Sequence, residues 1–323
     1  MSSLLSIQNL EVRYVTNDDT FYALNGISLD IHAGEIFGLV GETGAGKTTT
    51  ALSILNLLPK NIGKITAGSI SFEGTDILDL DDKKMRKVRG SQISMIFQDP
   101  MTSLNPVLTV GRQISEAFEF HTDFSKAERE TQVDTMLELV GIPASRKHEY
   151  PHQFSGGMKQ RVVIAIALAC RPKLLIADEP TTALDVTVQN QVLKLISDLR
   201  AQLNTSMLLI THDLGIVSQM CDRVAIMYAG EVIEMGTVYD IFDKNPEKHH
   251  PYTNGLFGSL PSLQIHSKRL KPIEGLMADP TNLPSGCKFH PRCQSCMDIC
   301  KDQPPPTVDK SGHAVKCHLH NMS

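Results

Sequence analysis

Residues 35–49 read EIFGLVGETGAGKTT. Ile36, Phe37, Leu39 and Val40 make an apolar strand, and Gly41 to Thr48 fit the pattern G-x-x-x-x-G-K-[ST] that opens a helix. Glycines at this spacing let backbone N–H groups curl around phosphates. Lys47 then reaches the terminal phosphates, and the Thr48 hydroxyl can bind Mg²⁺. Thr43, Gly44, Ala45, Gly46 and Thr49 complete the candidate cradle.

Strand-like and helix-like stretches alternate on either side of this loop. Before it come LLSIQNLEV and YALNGISLDI; after it come a helix from Lys47 to about Leu58 and strands near 69–72 and 92–97. From 100 to about 160 the spacing turns helical, as at Val133, Met136, Leu137 and Val140. The alternation then resumes with LLIAD, a helix over about 187–203, MLLIT, VAIMY and the hairpin-like YAGEVIEMG. That order predicts an α/β domain, a parallel sheet covered by helices, with a helical insertion.

Two further stretches carry chemistry. Leu174 to Glu179, LLIADE, is an apolar strand that delivers two carboxylates at its end. In phosphate-loop enzymes the first carboxylate holds Mg²⁺, so Asp178 takes that role, and Glu179 is the candidate general base. Phe154 to Arg161, FSGGMKQR, offers bare backbone N–H groups and a capping hydroxyl at the start of an apolar helix. That is a second anion site, far from the first in sequence.

The composition, 41% hydrophobic and 21% charged in 323 residues, is that of a soluble globular protein. A net charge of −5 argues against general nucleic-acid binding, which shows a basic face. The longest strictly apolar run, Val162 to Cys170, is nine residues, too short to span a bilayer. No secretory signal is visible at MSSLLSIQNL, so the chain is expected to stay in the cytosol. Any work at a membrane requires other subunits.

With these motifs in order, the chain resembles the ATP-binding subunits of ABC transporters over residues 4–236. The resemblance implies a phosphate-loop NTPase cassette with a RecA-like core, an antiparallel β subdomain and the helical insertion at about 100–160. It implies ATP and Mg²⁺ as cofactors, with Mg²⁺ held by Thr48, Gln98 and Asp178. Tyr14 matches the aromatic residue that stacks on adenine, with Phe21 and Tyr22 as rivals. Gln98 matches the residue linking γ-phosphate and metal to the insertion. Ser155, Gly156 and Gly157 match the signature that binds ATP held by an opposite subunit. Ala183-Leu184-Asp185 matches the loop that meets that partner, and His212 the switch histidine that holds γ-phosphate and attacking water. Phe154 stands where Leu is usual, and Met158 where Gln is frequent.

Beyond Gly236 the chain turns rich in Pro and His, and the domain boundary is placed there, 237–323 being a tail with little readable regular structure. Cys170 and Cys221 sit in apolar surroundings as core residues, whereas Cys287, Cys293, Cys296, Cys300 and Cys317 crowd the last 37 residues. In a reducing compartment such a cluster points to a metal site rather than disulfides. HHPYTNGLFGSLP, GCKFHPRC and KCH resemble the C-terminal extension of dipeptide and oligopeptide importer ATPases of the D type. That likeness implies a [4Fe–4S] cluster on Cys287, Cys293, Cys300 and Cys317, with zinc as the alternative; Cys296 lies outside the family spacing. It also implies a second ATPase subunit (a paralogue or another copy), two permeases, an extracytoplasmic peptide-binding protein, and a place on the cytoplasmic face of the membrane. Nickel or glutathione import, a soluble ATPase acting on ribosomes or DNA, and a tail serving as an iron-dependent regulatory module are the rival readings.

Overall fold

The computed structural model describes residues 3–99, 103–182, 184–259 and 272–321. Ala183, residues 100–102 and the end of HHPYTNGLFGSLP beyond Ser259 lie outside them. The chain's contacts fall into two compact units, one mainly 72–210 and the other comprising 5–30, 37–71 and 211–323.

The first unit is built on three parallel strands: β6 (Ile93–Ile96), β7 (Leu174–Asp178) and β8 (Ser206–Thr211), with β7 in the middle. Every residue of β7 and β8 is buried, which explains why they read as unbroken apolar runs rather than alternating ones. Asp178 pairs with Ile210 at the strand ends, so the acids leave the sheet at its C-terminal edge. Helices Val110–His121 and Lys126–Leu139 form the expected insertion. The second buries Val133, Met136 and Leu137 and starts with a capping box between Ser125 and Glu128. Helix Gly156–Leu168 packs against both of them and against β6. A two-residue strand, β5 (Thr75–Asp76), also belongs here.

The second unit holds the phosphate loop. Its strands β2 (Thr20–His32), β1 (Ser3–Val15) and β4 (Gly63–Phe72) are neighbours in that order. In its other sheet β3 (Ile36–Val40) runs parallel to β9 (Arg223–Tyr228), with Val40 opposite Ile226. β10 (Glu231–Thr237) returns antiparallel to β9. Helix Lys47–Ile54 stops about a turn earlier than the sequence suggested; Leu55 caps it and Asn56 turns left-handed.

The tail departs from the sequence reading, which gave it little regular structure. Strand β12 (His313–Lys316) pairs antiparallel with β10, Glu234 opposite Val315, and β11 (Thr307–Lys310) pairs with β12. The extension therefore lengthens the sheet that carries the phosphate loop. Helix Pro251–Gly258 has Pro at its first position, where no N–H bond is lost, and buries Tyr252 and Thr253.

Candidate functional site

The phosphate loop has the backbone its sequence requires. Gly44 and Gly46 adopt φ of 84° and 103°. A side chain on Gly46 would meet the Ala23 carbonyl at 2.7 Å, so only glycine fits there. Helix Lys47–Ile54 has no side-chain cap, unlike the helices begun by Ser125, Asp185 or Asp213, so its first N–H groups suit an anion. Lys47 is buried, and its Nζ donates to the carbonyls of Gly41 (2.7 Å) and Glu42 (3.0 Å). Tyr14 places its hydroxyl 3.3 Å from Thr49 Oγ1, beside the loop, while the ring of its rival Tyr22 carries the Arg13 guanidinium at 4.6 Å. Thr48 is exposed in the helix's first turn.

The acid pair lies in the other unit. Asp178 is buried at the end of β7. Glu179 follows with φ 46°, left-handed for a non-glycine residue, and its N–H is tied to the Ile210 carbonyl at 2.8 Å. Its Oε2 accepts from Gln98 Nε2 (3.2 Å) and from the Thr182 hydroxyl (3.1 Å). Gln98 and Glu179, 81 residues apart, are thus brought together, a contact the sequence reading did not name. Because the Gln98 amide nitrogen faces the carboxylate, its carbonyl oxygen remains the group for a hard cation.

Ser155 caps helix Gly156–Leu168 by accepting from the Met158 N–H at 3.3 Å. Ser155, Gly156, Gly157, Leu184 and Asp185 line one surface groove. The departures at Phe154 and Met158 meet in a residue the sequence reading passed over. The Arg146 guanidinium lies 4.4 Å above the Phe154 ring, and its Nη1 reaches the Met158 sulfur at 3.4 Å. Glu149 holds it in place, so the aromatic and thioether substitutions share one cation. His212, in the second unit, is exposed in a turn fixed by Asp213, whose carboxylate accepts from Gly215 and Ile216 and whose N–H donates to Thr211.

Comparison with known proteins adds the whole-chain view. Residues 24–182 match the family described as ABC transporter, and residues 233–300 match the oligopeptide/dipeptide transporter C-terminal region. The chain is 50% identical to the dipeptide transport ATP-binding protein DppD of Bacillus subtilis, covering 100% of this chain and 96% of that one. It is 47% identical to the oligopeptide transport ATP-binding protein OppD of Escherichia coli, covering 98% and 93%. The chain belongs to the ABC transporter ATP-binding family. Its fold is that of the ABC cassette. The dimeric post-hydrolysis structure of the cassette MJ0796 bound to ADP and Pi superposes with a TM-score of 0.65 at 28% identity, over 72% of this chain and 98% of that one. Clostridium perfringens cbiO1, part of the complex cbiONQ, gives 0.65 at 32% identity, over 76% and 92%.

In this ABC ATPase the C-terminal cysteines form no disulfide. Cys287, Cys293, Cys300 and Cys317 line one small cavity, with His250 and His290 among its other walls; Cys296 is not part of that lining. Burial pushes the Cys287 and Cys293 thiols up to about 11, so thiolates there call for a cationic centre. Tetrahedral zinc with Zn–S of about 2.3 Å sets its sulfurs about 3.8 Å apart. Among the described residues no three cysteine sulfurs lie within 4.8 Å of one another.

The trio that does meet that distance is Glu234, His249 and His313, unmarked in the sequence. Glu234 Oε1 accepts from His249 Nδ1 (2.7 Å) and His313 Nε2 (2.9 Å). Its Oε2 accepts from the His250 N–H (2.8 Å) and the Thr253 hydroxyl (2.6 Å). His249 Nε2 faces the Asp243 carbonyl at 2.8 Å, so both ring nitrogens look at acceptors and the ring is an imidazolium. Donors around a tetrahedral zinc would stand about 3.4 Å apart. The shorter contacts here are those of a hydrogen-bonded ion pair.

Proposed function

We propose that the chain is the ATP-hydrolysing subunit of an importer of dipeptides or oligopeptides, working at the cytoplasmic face of the membrane. The likeness to named dipeptide and oligopeptide transport ATP-binding proteins carries this reading, because it runs through the cassette and the C-terminal region alike. Among the described residues no helix is long and apolar enough to cross a membrane, which fits dependence on permease subunits.

The first domain, 1–236, binds and hydrolyses ATP, and 237–323 is the importer extension. Backbone donors at Gly41 and from Thr43 to Thr49, with Lys47, take the phosphates, and Tyr14 takes the adenine. Thr48, Asp178 and the Gln98 carbonyl are oxygen donors suited to Mg²⁺. When bound, the metal neutralises charge on the phosphates. Glu179 accepts a proton from the attacking water, which His212 helps to orient. Ser155, Gly156 and Gly157 close on the ATP of a second ATPase subunit in a head-to-tail dimer. Catalysis of this kind is positioning and electrostatics, so a rigid loop and fixed strand ends serve it directly.

Cys287, Cys293, Cys300 and Cys317 hold a [4Fe–4S] cluster that staples the extension. Their shared cavity supports this. Replacing Cys293 and Cys300 by Ser is expected to abolish iron content and visible absorbance and to lower thermal stability. Retained zinc at one equivalent, with no iron in anaerobically purified wild type, would overturn the cluster. For the function itself, reconstitution with two permeases and a binding protein should give ATP hydrolysis stimulated at least several-fold by peptide. Stimulation by nickel or glutathione, and not by peptide, would sink the substrate assignment.

A further inference from the structure

Glu42 is the one residue between Gly41 and Thr49 without a part in the nucleotide reading above, yet three of its groups are held. Its carbonyl accepts from Lys47 Nζ at 3.0 Å. Its N–H donates to the Tyr252 hydroxyl at 3.1 Å. Its carboxylate takes a two-pronged contact from Arg292, Nη1 to Oε2 at 2.7 Å and Nη2 to Oε1 at 3.2 Å. Tyr252 and Arg292 both belong to the C-terminal extension, Arg292 lying 250 residues along the chain.

The clasp is built rather than incidental. The Arg292 side chain is only 4% exposed. Its charge is met by the Glu42 carboxylate through the two parallel N–H bonds. The same guanidinium donates from Nη2 to the Ile273 carbonyl (3.3 Å) and from Nε to the Glu274 carbonyl (3.2 Å). The segment it pins continues along the phosphate loop. The Met277 methyl lies 3.6 Å from where a side chain on Gly44 would begin, and the Tyr22 N–H donates to the Pro280 carbonyl at 2.8 Å. Arg292 also directly precedes Cys293, which lines the cysteine cavity.

We propose that Arg292 is a positioning residue for the ATP phosphates, acting through Glu42, so that the C-terminal extension sets the nucleotide affinity of the phosphate loop. The proposal rests on the reading of residues 41–49 as the ATP site. Two physical effects operate together. The fork fixes the start of the loop, and it neutralises a carboxylate carried by the same loop whose backbone is to take negatively charged phosphates. The sign follows: removing the arginine alone leaves the repulsion, and removing both partners relieves it.

The test is MgATP binding by titration calorimetry on the full chain, with steady-state hydrolysis in parallel. Arg292→Met should weaken MgATP about tenfold while the rate at saturating ATP stays within about twofold, the signature of lost uniform binding. Arg292→Lys, keeping charge without the fork, should lose about threefold. Adding Glu42→Gln to Arg292→Met should restore affinity to within about twofold of wild type, a coupling that general destabilisation would not produce. Where Arg292→Met does not fold, Arg292→Gln serves for the same comparison, since it keeps a donor for the backbone carbonyls. Unchanged affinity in the single variant, or no rescue in the double, overturns the proposal. Wild-type protein that fails to bind MgATP overturns the ATP-site reading itself, whereas wild type that binds beside an unaffected Arg292 variant removes only the positioning role.

Discussion

Replacing Glu179 by Gln is expected to reduce ATP hydrolysis about 10³-fold while MgATP affinity stays within about twofold, the range for loss of a positioned general base. Glutamine keeps the shape of the side chain and can still accept from Thr182, so the fold should not register the change. What it removes is the proton acceptor. Glu179 is one of few non-glycine residues with a left-handed backbone, and such a conformation costs about 1–3 kcal/mol. It persists because the Ile210 carbonyl anchors its N–H and because Gln98 and Thr182 fix its carboxylate from two sides. The measurement is single-turnover hydrolysis beside nucleotide binding, with size-exclusion chromatography in ATP to detect a trapped closed dimer. Brisk turnover by the variant would remove Glu179 from the mechanism, and a parallel fall in ATP affinity would make it a binding residue instead.

The elements that carry this chemistry were legible in the sequence for a shared reason. β3, β7 and β8 are buried runs that end in polar motifs, so apolar continuity marks the strand and the next residues mark the site. FSGGMKQR likewise declared a capped helix start. Contacts that depend on distant residues left no such trace. Arg292 reads as one letter of a cysteine loop, and nothing local says that Glu42 is its partner. β12 has only Ala314 and Val315 buried, too short a pattern to predict pairing with β10. Glu234 read as an ordinary hairpin residue, since three of its four donors come from the tail segments around 249–253 and the fourth from His313. One signal was available: a glutamate inside a strand whose neighbours are otherwise apolar has to find partners once buried. The extra cysteine was ambiguous in sequence, and the cavity lining separates Cys296 from the other four.

Replacing Glu234 by Ala should destabilise the fold by about 3–5 kcal/mol, the cost of leaving a buried partner charge uncompensated. Its fully buried side chain on β10 joins that strand to helix Pro251–Gly258 and to β12, so its loss loosens the extension from the sheet. Burial by itself would raise this carboxyl, but the bonds from His249, His313, Thr253 and the His250 N–H outweigh it and hold the group down to about 2. Burial would lower His249, and its bonds to Glu234 and the Asp243 carbonyl win, raising it above the ordinary value. The two shifts give opposite pH limits. The glutamate's contribution is complete above its unfolded value near 4.3 and is lost as pH falls toward about 2. The histidine's is complete below its unfolded value near 6.5 and is lost as pH rises through the higher folded one. Urea unfolding of wild type and Glu234→Ala should therefore differ most between about pH 5 and 6, converge as pH falls toward about 2, and narrow by the histidine's share as pH rises. Chelator should leave that difference unchanged, since the pair needs no metal; a difference that collapses on chelation would mean that Glu234, His249 and His313 hold an ion after all.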